Sequence, residues 1–201
     1  MIDINRMLQE NGVEIKSYLE EKYIDPIGGY DSPAQCMNFR VVIEPEDGLY
    51  SVFDCGERGA KYKRHERVGW EEAVVFGIQI YRSVKDKWID RKVSDQVRHY
   101  AEEGDIEKAM SYFSEEERGR IVFGRKEEGK LSLLREGTVY TVNFGERRIV
   151  EKDSPGSAYA VLYNYSKRYG GAISFVRQNR EYIRAVGIDE RELVERYLLH
   201  R

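Results

Sequence analysis

Apolar and polar residues alternate along Tyr50-Ser-Val-Phe-Asp-Cys-Gly-Glu-Arg58, and a near copy, Tyr140-Thr-Val-Asn-Phe-Gly-Glu-Arg147, recurs later in the chain. In both copies the alternation runs up to a glycine, the pattern of a half-buried strand that ends in a turn. Each copy is followed by a basic, β-prone segment, then by a glycine or proline, then by an apolar helix. The chain therefore reads as an internal duplication. The expected fold is α+β: two related units, each a small antiparallel sheet with flanking helices, packed together, over residues 1–92 and 93–201.

Taken in order, residues 3–24 read as helical, with Ile4, Met7, Leu8, Ile15, Tyr18 and Leu19 on one face. Asn11-Gly12 interrupts them as a helix stop and restart, which predicts a helical hairpin. Gly104 and Gly187 stand in similar phrases, and Asp189 is placed to cap the last helix. Two of the four prolines and a Gly-Gly pair make 25–35 a loop. Phe39–Ile43 and Leu49–Asp54 follow as strands around an Asp47-Gly48 turn. A basic third strand with Lys61, Lys63, Arg64 and Arg67 belongs on a sheet edge, where lysines prevent strand-to-strand aggregation. A helix runs from about Trp70 to Val84, its apolar stripe formed by Ala73, Val74, Phe76, Gly77, Ile80 and Tyr81.

Residues 85–118 are charged and mostly helical. The second sheet then opens with Arg120–Phe123 and Leu131–Leu134, continues through the Tyr140 copy and closes with Arg148–Lys152. Pro155-Gly-Ser starts a helix through Tyr169, and two more helices, about 172–185 and 189–200, end the chain.

Composition narrows the classes of function. A chain of 201 residues can bury about 70% of its extended surface, enough for one large core or two joined ones. Thirty-three basic residues against 36 acidic ones give a net charge of −3, which argues against a general phosphate-backbone binder. Cys36 and Cys55 are too few for a disulfide framework and read as buried reduced thiols. The N-terminus lacks the pattern of a secretory signal, and no window is apolar enough to span a membrane. A cytoplasmic setting follows as the expectation.

The search for catalytic chemistry returns no set. His65, His99 and His200 fall in a basic strand, a helix and the penultimate position, and His99 with Glu103 has the i, i+4 spacing of a helical zinc ligand pair. No phosphate loop, nucleophile elbow or dinucleotide-binding glycine pattern occurs, so no metal, cofactor or enzymatic activity is expected. Cys55 and His65 could meet only across adjacent strands. Glu57/Arg58 and Glu146/Arg147 suit exposed hairpin tips, where glycine accepts positive φ and charge keeps the tip wet. The fifteen tyrosines are less ordinary. Tyr159, Tyr163, Tyr165 and Tyr169 on one helix are of the type favoured at protein interfaces, and at least one pair should be partly exposed.

Leu49 to Val84, a strand pair, a Gly-Glu-Arg-Gly turn, a short strand and an amphipathic helix, resembles the immunity proteins of bacterial polymorphic toxin systems. Thr138 to Tyr169 resembles them less closely. The resemblance implies a protein without activity of its own that binds one toxin domain. Toxins that attack nucleic acids or nucleotides present basic, concave sites, to which turn carboxylates would be steered. The candidates are Glu44, Glu46 and Asp47 in the first hairpin and Glu151 and Asp153 before the proline turn, with Tyr159 and Tyr163 as aromatic contacts. The alternative is a duplicated RNA- or DNA-binding module that uses Lys61, Tyr62, Lys63, Arg64 and Arg67, with Arg147 and Arg148 in the second copy.

Overall fold

The computed structural model describes residues 3–19, 21–28, 39–56, 60–85 and 89–199. The fold is α+β, with a five-stranded antiparallel sheet, a second sheet of four strands, and helices. Two compact units emerge: Met1–Asp86 with Ser174–Arg201, and Lys87–Ile173. Unlike the expected 1–92 and 93–201, the first unit is discontinuous, because the C-terminal helices group with it. The second unit ends inside a helix.

The first unit opens with α1 (Ile4–Glu10), capped by the Asp3 carboxylate on the Arg6 amide. As expected, α1 ends at Asn11, and Gly12 takes φ +67°. The continuation is not helical. Val13–Tyr18 (β1) and Glu21–Pro26 (β2) form an antiparallel hairpin with Val13 opposite Pro26 and Tyr18 opposite Glu21. The period-2 run Val13-Glu-Ile-Lys-Ser explains the difference: a pairing strand satisfies its backbone and separates its two faces, which a helix would scramble. The sheet continues through β3 (Arg40–Glu46), β4 (Leu49–Cys55) and β5 (Lys61–Val68) in simple meander order, which places the basic strand on an edge. Asp47 and Gly48, at φ +50° and +79°, make the β3–β4 turn; both central residues need positive φ for the strands to keep their twist.

α2 (Trp70–Lys85) covers one face of this sheet. It comes closest at Gly77, where an added Cβ would lie 3.1 Å from Ile24 and 3.4 Å from Ile43. Val41, Ile43 and Val52 are fully buried beneath it. The C-terminal elements α7 (Arg180–Ala185) and α8 (Glu190–Leu199) pack against α2, burying Ile183, Leu193, Tyr197 and Leu198. A polar clamp fixes this return. The Asn11 amide donates to Asn179 Oδ1 at 2.7 Å and to the Met7 carbonyl at 2.8 Å; Asn179 Nδ2 donates back to Asn11 Oδ1 at 3.2 Å and to the Phe175 carbonyl at 2.9 Å.

The second unit begins with α3 (Arg91–Glu102), α4 (Ile106–Met110) and α5 (Glu115–Gly119). Asp90, Asp105 and Ser114 cap their N-termini, the last in a full capping box with Glu117. The sheet order is β6 (Ile121–Phe123), β7 (Leu131–Glu136), β8 (Val139–Phe144) and β9 (Arg147–Lys152). Here the expectation of antiparallel strands needs a correction, because β6 runs parallel to β7, with Ile121 beside Leu131. Gly124 and Gly129, at φ +73° and +71°, turn the intervening segment back on itself, so β7 starts at the same end as β6.

α6 (Pro155–Gln178) is longer than expected. It runs through Gly170-Gly171 because Ala172, Phe175 and Val176 continue its buried stripe. The duplication is visible in both units as β3–β4–β5–α2 and β7–β8–β9–α6. Glu46 opposite Leu49 and Glu136 opposite Val139 close the two hairpins, Val52 and Val142 are both fully buried, and both copies carry a register irregularity between their last two strands.

Gly156 is the most crowded glycine of α6. Its amide donates to Glu102 Oε2 at 2.8 Å, and a Cβ there would stand 2.6 Å from the Arg98 carbonyl oxygen. Gly156→Ala is expected to lower unfolding stability by about 2 kcal/mol, since helix backbone must move to admit a methyl group. Denaturant titration checks this; an unchanged midpoint would contradict it.

Candidate functional site

Residues two apart on a strand share a face, so Arg40, Val42, Glu44 and Glu46 project from β3 to the side of the sheet away from α2. The strand register aligns Tyr23, Val42, Phe53 and Lys63 across four strands, and Glu44 with Ser51. Tyr23, Val42 and Cys55 form a buried apolar cluster with Phe53 packed against it. The β5 ammonium groups lie over Phe53, Lys61 Nζ 4.7 Å and Lys63 Nζ 5.8 Å from the ring centre.

Carboxylates surround these two cations. Lys61 bonds to Glu44 and, at 3.0 Å, to Glu21; Lys63 meets Glu46 at 3.2 Å and Glu66 at 3.7 Å. The Ser51 hydroxyl donates to Glu46, and this bond together with Lys63 holds the Glu46 carboxyl below its ordinary range. Glu21 is likewise lowered, first by the Tyr23 hydroxyl and then by Lys61. Four carboxylates thus meet two ammonium groups on a rigid sheet. At the hairpin tip Asp47 is almost fully exposed, 3.8 Å from Arg67.

Glu44, Glu46 and Asp47 therefore belong to one surface, together with Glu21, Ser51 and Phe53, which sequence reasoning missed. The signal was present: lysines at 61 and 63 and glutamates at 44 and 46 share a period of two, so neighbouring strands can match them on one face. Glu151 and Asp153 lie exposed in the second unit, where Glu151 pairs with Arg148 at 2.6 Å. Tyr159 and Tyr163 are placed otherwise than expected. Both are buried on the stripe of α6 that also holds Ala158, Leu162 and Tyr169. Tyr159 stacks on Phe123 and Tyr163 meets Phe113 edge-on, and burial pushes both hydroxyls up. They fill the second unit's core rather than present an aromatic surface, and Tyr165 is only half-buried.

At matched register positions of the second copy, Glu44 becomes Leu134, Ser51 becomes Thr141 and Phe53 becomes Asn143. Glu46 and Lys63 keep charged counterparts in Glu136 and Arg148, so the second copy retains only part of the ionic face, without the Glu44 carboxylate or the Phe53 ring. The basic strand also changes meaning. Besides Lys61 and Lys63, Arg64 is held by Asp54 at 2.6 Å and Arg67 faces Asp47, so each cation of β5 has a carboxylate partner.

The remaining candidates separate in space. Cys55 lies in the Tyr23 cluster, where burial raises its thiol, whereas His65 stacks on Phe76 of α2 with ring centres 3.5 Å apart. The two thus occupy opposite faces of the sheet. His99 and Glu103 form an exposed pair at 3.5 Å, and among the described residues no three potential ligands gather for a metal ion. At the second Gly-Glu-Arg, Gly145 has φ +53° and Glu146 is exposed, as an open turn requires. Cys36, Glu57, Arg58 and His200 lie outside the described residues. Among the described residues no helix is long and apolar enough to cross a membrane.

His65 carries its own prediction. Burial, with Arg196 and Arg64 nearby, lowers its pKa from 6.5 to about 3. The unfolded chain therefore takes up a proton near pH 6.5 that the folded chain refuses, so His65 titration leaves stability unchanged above that pH and lowers it as pH falls from about 6.5 towards 3. At pH 5 the loss is about 2 kcal/mol relative to pH 8. His65→Gln should flatten this part of the stability profile in denaturant titrations; an equal pH slope in both proteins would contradict the assignment.

Comparison with protein-family models, curated proteins and solved structures finds no match to this chain.

Proposed function

We propose that the chain is a non-enzymatic immunity protein, which binds a bacterial toxin domain in the cytoplasm through the outer face of its first sheet and so neutralises it. The observation that supports this most is the set of carboxylates on that face, Glu21, Glu44 and Glu46, already oriented by hydrogen bonds and ion pairs. Oriented charge steers a basic partner and needs little reordering on contact. The same pairing counts against the nucleic-acid alternative, because phosphate binding releases counterions only where cations are not already neutralised by the protein.

The test is co-expression with the toxin domain encoded beside this chain. A stable one-to-one complex and survival of cells expressing the toxin support the reading. If neither appears, the proposal fails, and a salt-dependent gel shift with generic nucleic acid would support the alternative instead.

A further inference from the structure

Among the described residues Leu19 is the most exposed of the large apolar side chains, at 88%, and its neighbour Tyr18 is 46% exposed. Leu19 also holds φ +55°, a conformation that glycine or asparagine adopts freely and leucine resists. Nothing in the fold calls for an apolar side chain there, since the turn leaves it in water. Tyr18 pairs with Glu21, and the Glu21 carboxylate is held by Lys61, which also bonds to Glu44. The apolar tip of the β1–β2 hairpin is therefore contiguous with the ionic face of the same sheet.

We infer that Leu19, supported by Tyr18, is the apolar anchor of this surface, and that the partner is a protein carrying an apolar recess bordered by basic groups. The inference rests on the immunity reading and adds the partner's complementary chemistry to it. An anchor that loses its water on docking, ringed by polar pairs that exclude solvent, is the arrangement in which a few residues carry most of the affinity. The carboxylates Glu21, Glu44 and Glu46 would meet the basic border, and Leu19 would fill the recess.

The experiment measures affinity for the purified toxin domain by calorimetry, alongside melting temperature, for wild type, Leu19→Asn and Leu19→Met. Asparagine tolerates positive φ, so Leu19→Asn should melt no lower than wild type while binding about 30-fold more weakly. Leu19→Met keeps an apolar side chain and should bind within about threefold of wild type. If wild type binds and Leu19→Asn binds equally well, the anchor assignment is overturned while the immunity reading stands. If wild type forms no complex, both fall together.

Discussion

Asn179→Ala is expected to destabilise the protein by about 3 kcal/mol. Asn179 is completely buried, and its amide is the partner of Asn11, which is itself 7% exposed. Removing it leaves Asn11 with the Met7 carbonyl and a long 3.4 Å contact from Arg82, so one buried acceptor is poorly satisfied and a small cavity opens. Both effects act at the point where the last helices join the first unit. The pair should also be strongly non-additive. Asn11→Ala after Asn179→Ala should cost about 1–2 kcal/mol less than Asn11→Ala alone, because the orphaned group is then removed. A single-variant loss below about 0.5 kcal/mol by denaturant titration would show that the clamp does not hold this segment.

The second large effect concerns binding. On the proposed reading, Glu44→Lys with Glu46→Lys should weaken association with the toxin domain about 1,000-fold, since it removes two oriented carboxylates and places cations on the face proposed to meet a basic partner. Glu44→Gln with Glu46→Gln removes the charges without adding repulsion and should weaken it only about 30-fold. Raising the salt concentration should narrow the difference between the two variants. Circular dichroism checks that both remain folded, as the lysine pair would sit beside Lys61 and Lys63. Equal affinity of the lysine variant and wild type would remove this face from the account.

Much of the fold was legible because it is written in short-range periodicity. The alternation around Tyr50 and Tyr140, the Asp47-Gly48 turn and the apolar stripe of α2 each specify a local structure that the tertiary context leaves intact. Glycines 12, 104 and 187 were read as turns between helices, and all three take positive φ, but after Gly12 the chain continues as a strand rather than a second helix. Where the reading departed from the structure, tertiary pairing decided. Val13–Tyr18 has residues that suit either a helix stripe or a strand, and a neighbouring strand settled it. The parallel pairing of β6 and the return of α7 and α8 to the first unit depend on contacts between residues far apart in sequence, such as Asn11 with Asn179, which no local window contains.

The candidate site was legible by half. Glu44, Glu46 and Asp47 could be chosen from their hairpin, but their partners Glu21, Lys61 and Lys63 come from other strands and emerge only with the register. Tyr159 and Tyr163 were misjudged because their hydroxyl handle suggested an interface, while the stripe they share with Leu162 and Tyr169 is the buried face of α6.

Carbodiimide footprinting of carboxylates, with and without the bound toxin domain, tests the central claim most directly. Labelling of Glu44, Glu46 and Asp47 should fall several-fold in the complex, while Glu115 and Glu146 in the second unit stay at their free rates. Undiminished labelling of the first hairpin in a complex that has formed would show that the ionic sheet face is not where the partner sits.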